Sequence, residues 1–435
     1  MQVRLLIYGS RTEIERIEKM MNKESIERAL RGYYCTGCFN IYLNGMFDPN
    51  LENMNKTDLG TFLHEYVHFL QNISTPYGIF EANVHNIQAI ETFMALNTED
   101  EITIPYHTNY SPELRNRLLW INIMNGEPIK NVTTQIKIDI QKEMMLGIMD
   151  WDCRGKKCKN IAIDFYDTQG NEHQRMIGAI DIKESMASAF QSFMDPNVNH
   201  PDIPYNLLRM FCIKNYPIVG NDIKKFICLC YTSLFNLEPA YQFIQLCEEA
   251  EQNIELSGFD LFENFINSKK ALSQGQSLPI HEQFDNLLKA YGQSIQGLTR
   301  CDTPYIDEIL DRVRLVNGNV PILNVINTNQ PFDISNIKSL VSALGIPYMH
   351  AENRGWFFPS MNGNGATDVI RLVSLMMLFD FLTQEKTNLR GMCPLIKMCG
   401  NSGTYCYDQP WLETGCAFDL MGQEIKLKSK NIKIQ

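Results

Sequence analysis

Thr61-Phe62-Leu63-His64-Glu65-Tyr66-Val67-His68-Phe69-Leu70-Gln71 is the stretch on which the reading of this chain turns. It lies inside a longer segment, Thr57 to Ser74, where Leu59, Phe62, Leu63, Tyr66, Val67, Leu70 and Ile73 recur at three- and four-residue spacing. That period predicts a helix with one buried stripe, and Asn55 to Asp58 supplies capping residues ahead of it. At about 100° per residue, Thr61, His64, Glu65 and His68 share roughly one quadrant, which predicts a reactive face separate from the core face. Two histidines four apart stand one turn above each other, so both imidazoles can hold one metal ion while Glu65 opens to the same side. Zinc (Zn2+) suits such a site. Two neutral imidazoles leave room for a third ligand and a water whose pKa falls to about 7, and Glu65 can take the proton of that water and pass it to a leaving amine. With eight histidines in 435 residues, the five-residue pattern arises by chance roughly once in a hundred such chains.

The motif resembles that of the zincin metallopeptidases, in which a helix carrying His-Glu-x-x-His lies under a β-sheet. The resemblance is specific over Thr57–Ser74, suggestive from Ile161 to Met194, and covers about a third of the chain. It implies that His64 and His68 are zinc ligands and Glu65 the general base. A metzincin would carry a third histidine six residues after His68, where this chain has Ser74. A gluzincin-like arrangement takes its third ligand from a glutamate on a downstream helix, and Glu184, in Asp181-Ile-Lys-Glu184-Ser-Met-Ala187-Ser-Ala189, is the best match. Ala187 and Ala189 would let that helix come close. The Asn before and the Asp four after the gluzincin glutamate are absent. Two other readings stay open: Glu184 as part of a capping box with Asp181, and Glu81 or Glu91, 13 and 23 residues after His68, as the ligand.

Ahead of Glu184, Ile161–Tyr166 and His173–Ile180 read as a hairpin around Thr168–Asn171, running into a helix at Asp181–Met194. By the resemblance, this hairpin is the edge strand that holds an extended peptide. His173, His200, Tyr205 and Tyr231 flank the segment and are candidate donors to a transition-state oxyanion, each with a purely structural role as the alternative. His350 falls in a loop, Pro347 to Trp356, dense in polar and aromatic groups.

Fifty acidic against 39 basic side chains, a formal charge of −11, argue against a nucleic-acid or anionic-membrane partner. Met1 to Ser10 is too short in apolar residues for a secretion signal, and the longest apolar window, near Val373–Leu382, contains Asp380, so a cytoplasmic location is expected. Thirteen cysteines then stay reduced. Two groupings, Cys35 and Cys38 with Cys153 and Cys158, and Cys393, Cys399, Cys406 and Cys416, are weak candidates for a structural zinc against a default of buried thiols. The Asn362–Gly365 loop lacks the Lys-Ser/Thr of a phosphate-binding loop.

Elsewhere the sequence predicts a strand at Gln2–Tyr8, a helical stretch including Lys23–Leu30, and an extended piece at Tyr33–Leu43. Helices follow at Ile79–Leu96, Ser111–Met124, Asp222–Phe235, Pro239–Gln252, His281–Gln296, Pro304–Val316, Asp333–Leu344 and Ala366–Gln384. Ser268–Pro279 reads as a linker and Glu424–Gln435 as an edge strand. The expected fold is α+β and predominantly helical: a zincin-like catalytic region at 1–200 with a small β-sheet over the metal-binding helix, a helical region at 201–345, and a C-terminal region at 346–435, bearing the cysteine cluster, packed on the first. The expected function is that of an intracellular zinc metallopeptidase with a narrow protein or peptide substrate. Control by an activating or inhibitory protein partner would fit a stress, toxin or phage-defence protease. The alternatives are a zinc hydrolase of a small amide, with deformylase-like chemistry and a cysteine ligand, and a non-catalytic zincin-fold scaffold.

Overall fold

The structure is a computed structural model and describes residues 32–37, 39–129, 135–153, 156–273, 276–313, 320–328, 330–351, 355–357, 360–361, 364–365, 367–383, 421–423 and 425–434. The expected elements at Gln2–Tyr8 and Lys23–Leu30 lie outside these residues, as do Cys38, Cys393, Cys399, Cys406 and Cys416.

Asn55 caps the helix Lys56–Ser74 (α1) by accepting the Asp58 N–H at 2.9 Å. The helix stops at Thr75 because the ring of Pro76 disfavours a helical residue before it. Thr75 then caps the next helix, Pro76–Asn97 (α2), by accepting the Gly78 N–H at 3.1 Å. The corner is tight: a Cβ on Gly78 would sit 2.2 Å from the Gln71 carbonyl oxygen, so a glycine is needed there. Further along, Ser111 caps Pro112–Met124 (α3) through the Leu114 N–H, as its Ser-Pro start predicts.

The predicted extended piece is a hairpin, Gly32–Cys35 (β1) and Asn40–Leu43 (β2), with Phe39, Ile41 and Leu43 buried over α1. Rings of Tyr34 and Phe39 meet Phe69 of α1 edge-on at 6.1 and 5.7 Å. A third short strand, Glu101–Ile104 (β3), follows α2.

The hairpin predicted ahead of Glu184 has a third member. Met145–Cys153 (β4), Lys156–Tyr166 (β5) and Glu172–Ile177 (β6) form an antiparallel sheet in that order. The first strand escapes sequence reading because Met145, Ile148, Met149 and Trp151 all remain partly exposed, which blurs any in-and-out alternation. Next comes Ala179–Met194 (α4), whose apolar residues Ile182, Met186, Ala187 and Phe190 are buried against the core.

From there the chain is helical: Leu207–Asn215 (α5), Pro217–Gly220 (α6), Ile223–Ser233 (α7), Pro239–Gln252 (α8) and Gly258–Ser268 (α9). The segment read as a linker is another hairpin, Lys270–Ser273 (β7) with Gln276–Pro279 (β8). Ile280–Thr299 (α10), Pro304–Arg312 (α11), Pro321–Ile326 (α12) and Ile334–Leu344 (α13) follow.

Where a loop around His350 is expected, there is a strand. Tyr348–Ala351 (β9) pairs in parallel with β2, Tyr42 opposite His350, and Gly355–Phe357 (β10) pairs antiparallel with β9. The sheet order is β1-β2-β9-β10, with β1 at one edge. Tyr348, Met349 and Ala351 are buried, so β9 is an interior strand whose short apolar run carries no alternation for a sequence reading to find. Two short strands, Ser360–Met361 (β11) and Asn364–Gly365 (β12), pair with each other before Thr367–Thr383 (α14). The predicted C-terminal edge strand is present as Asn431–Ile434 (β13), in parallel with β3.

The fold is thus α+β and predominantly helical. The main hydrophobic core runs from Phe39 to Leu427 and crosses both expected domain boundaries, 200/201 and 345/346, while Val84, Leu114 and Ile121 form a small second cluster between α2 and α3. Among the described residues no helix is long and apolar enough to cross a membrane.

Candidate metal centre

The helices α1 and α4 pack together, and their contact decides the geometry of the site. A Cβ on Gly60 of α1 would come within 3.0 Å of the Asp195 Cβ and 3.3 Å of the Gln191 Cγ, so it is this glycine on the first helix, rather than the alanines of the second alone, that brings the two close. Ala187 and Ala189 are buried as expected. His64, His68 and Glu184 converge where the helices meet. His64 Nε2 lies 3.2 Å from His68 Nε2, and Glu184 Oε2 lies 3.3 Å from the first and 3.4 Å from the second.

That triangle fits one ion. A tetrahedral metal with bonds of about 2.0–2.1 Å holds its ligand atoms about 3.3–3.4 Å from one another. Two imidazoles and a carboxylate are a donor set that zinc favours, leaving one position for water. The side chains of His64, His68 and Glu184 are 8%, 13% and 21% exposed, so the site is largely enclosed but open to solvent.

The orientation of His68 is fixed from outside the set. The Gln71 amide donates to the Lys183 carbonyl at 3.0 Å, which turns its Oε1 toward His68 Nδ1 at 2.9 Å. Nδ1 therefore donates to Gln71, and Nε2 is the ring atom turned toward His64 Nε2 and Glu184 Oε2, where its lone pair could take an ion. Gln71 bridges α1 to the residue just before Glu184, a role that nothing in the motif announces. His64 Nδ1 has no such partner among the described residues.

The charges are mutually supporting. Burial opposes ionisation of Glu184, yet the imidazoles of His68 and His64 hold its carboxyl well below the usual carboxylate range. Burial likewise lowers the basicity of His68, but Glu184 and then Glu65 lift it to about 9.

The capping alternative for Glu184 is excluded by where the helix begins. Gly178 is the N-cap, and Asp181 accepts its N–H at 3.2 Å and the Arg175 Nε–H at 2.7 Å. Asp181 is thus the capping side chain, and Glu184, one turn later, is free to face the histidines. The rival glutamates are engaged elsewhere. Glu81 accepts from Lys183 at 2.7 Å and Asn125 at 3.0 Å, and Glu91 accepts from the N–H and hydroxyl of Ser111.

Glu65 sits beside the ligand set with only 6% of its surface exposed. The expectation of an open reactive face is corrected here: α1 is buried on nearly every side, because β1 covers the face that carries Glu65. The Tyr34 N–H of β1 donates to the carboxylate, and a Cβ on Gly32 would meet the Glu65 Cγ at 2.9 Å. Burial raises the Glu65 carboxyl above its ordinary range, against the pull of His64 and His68. The strand along the site is therefore β1, at the edge of its sheet, and not the hairpin before Glu184. That hairpin bonds instead to residues 127 and 137–139.

Of the four candidate donors, two reach the site. His200 and Tyr205 stack at 4.4 Å between ring centroids and lie 5.5 and 5.8 Å from the His64 ring. Burial, with Glu184 and Glu65 nearby, keeps the Tyr205 phenol protonated well above its usual range. His173 bonds to Asp167 at 3.0 Å, and Tyr231 donates to the Ser74 carbonyl at 2.9 Å, both as structural ties. His350 stacks on Tyr42 at 4.6 Å within the sheet. Cys35 lies in β1 and Cys158 in the separate β4-β5-β6 sheet, and among the described residues no cysteine belongs to a group able to hold a metal.

Compared with protein-family models, with curated proteins and with solved structures, the chain has no significant match in any of the three.

Proposed function

We propose that this chain is a zinc-dependent metallopeptidase in which His64, His68 and Glu184 hold the ion and Glu65 is the general base. The observation that carries this reading is the 3.2–3.4 Å triangle of ligand atoms with a buried, base-competent carboxylate on the next residue of the same helix. When bound, zinc polarises the substrate carbonyl and lowers the pKa of its water to about 7. Glu65, made more basic by burial, accepts the proton of the attacking water and later delivers it to the departing amine. Tyr205, kept protonated, donates to the oxygen on which negative charge develops. Among the described residues no strand pairs with the outer edge of β1, and an extended peptide would lie along that edge beside Glu65. A deformylase-like site would need a cysteine ligand where Glu184 stands. A bare scaffold would have no use for the buried Glu65.

The test compares cells expressing wild type with cells expressing Glu65→Gln, reading new peptide ends across the proteome. Ends found only with wild type, and a loss of turnover of about 10²–10⁴ in the variant, are expected. The same ends with both proteins would refute the assignment of the base.

A further inference from the structure

Beside His64 lies a chamber, about 80 Å³ in volume, walled by Ser185, Ser188 and Ser192 of α4, by His200 and Tyr205, and by Arg209 of α5. A single water needs roughly 10–15 Å³ on this measure, so the space suits one short side chain and not a length of peptide. Its connection to the metal centre is direct, because His200 and Tyr205 line the chamber and also pack on the His64 ring.

We propose that this chamber is a specificity pocket for a carboxylate next to the scissile bond, with Arg209 as the residue that selects it. The proposal rests on the peptidase reading above and names its substrate class. Arg209 is half-buried, and its one described hydrogen bond is a long one, 3.5 Å from Nε to the Gly220 carbonyl. No described carboxylate lies within ion-pair distance of it, in a chain with 50 acidic side chains. A half-buried guanidinium that lines the chamber with most of its N–H groups unspent on protein acceptors is a receptor for an anion, and its planar fork matches a carboxylate. The hydroxyls around it are graded. Ser185 and Ser192 donate to the Pro204 and Ala189 carbonyls, whereas Ser188, 7% exposed, has no described partner and is left to donate into the chamber. Arg209 is the one residue lining the chamber that bears a fixed charge, whereas Glu184 belongs to the metal centre.

Two sources could supply the carboxylate: an internal Asp or Glu side chain, or the free C-terminus of a peptide. The test uses the full-length, zinc-loaded protein and two matched probes, succinic monohydroxamate and its carboxamide counterpart, with affinities measured by calorimetry. Binding of the carboxylate probe at least tenfold tighter by wild type is expected. The two should bind equally to Arg209→Gln, and the preference should return in Arg209→Lys. Ser188→Asp, which places a carboxylate in the chamber, should also abolish it, so the proposal remains testable if Arg209→Gln misfolds. Equal affinity of wild type for the two probes, or a preference that persists in Ser188→Asp, overturns the pocket while leaving the metal centre standing. Binding of neither probe overturns the metal centre, and the pocket with it. Cleavage of a randomised peptide mixture with blocked C-termini, beside the same mixture unblocked, separates the two sources.

Discussion

Gly32 has little freedom beside Glu65. Its missing Cβ would lie 2.9 Å from the Glu65 Cγ and 3.1 Å from the carbonyl oxygen of Tyr42, so a side chain there must push against Glu65 or the sheet, and the Glu65 side chain is the part that can move. Gly32→Ala is therefore expected to displace the Glu65 carboxylate while leaving His64, His68 and Glu184 in place. Misplacement of a reacting group by about 1 Å can cost about a hundredfold in rate. Turnover should fall on that order with zinc content unchanged, as read by peptide cleavage beside metal analysis. Wild-type turnover in Gly32→Ala would show that β1 does not set the position of the base. His64, Glu65 and His68 were legible in the sequence because helical spacing alone puts them together. Gly32, Gln71 and Arg209 were not, since their roles arise from segments that meet only in the folded chain.

Among the elements, α4 carries the greatest burden, for it starts with the Asp181 cap and brings Glu184 to the histidines. Asp181 and Arg175 form a buried ion pair, their side chains 0% and 2% exposed. Burial lifts the Asp181 carboxyl to about 6 against the pull of Arg175. Above that pH, Asp181→Ala leaves a buried guanidinium without its carboxylate and a helix without its cap, which should cost about 3–5 kcal/mol. Urea unfolding of the full chain measures this, and a loss below about 1 kcal/mol would contradict the role given to the cap. In the sequence, Asp181 and Glu184 looked like one capping pair. The distinction depends on the helix starting at Ala179, two residues earlier than its apolar pattern suggests. Strands were less legible than helices for a related reason. The interior strand β9 and the exposed β4 both lack the alternation that marks a half-buried strand, whereas the long helices show their period plainly.

Across the molecule, the sheet β1-β2-β9-β10 joins residues 32–43 to 348–357, and β13 joins the C-terminal end to β3. The helices after α4 also belong to this one core and supply the far wall of the chamber beside the metal centre. A bound ion would clamp α1 to α4, so its binding should raise the thermal midpoint and its removal lower it. The most direct measurement is the metal content of the freshly purified full-length protein, taken on wild type, Glu65→Gln and Glu184→Ala together. About one zinc per chain in the first two, and loss of the ion with a lowered midpoint in Glu184→Ala, is the predicted result. Wild type without stoichiometric metal, or Glu184→Ala that retains it in full, would contradict the assignment of these three residues as the ligands.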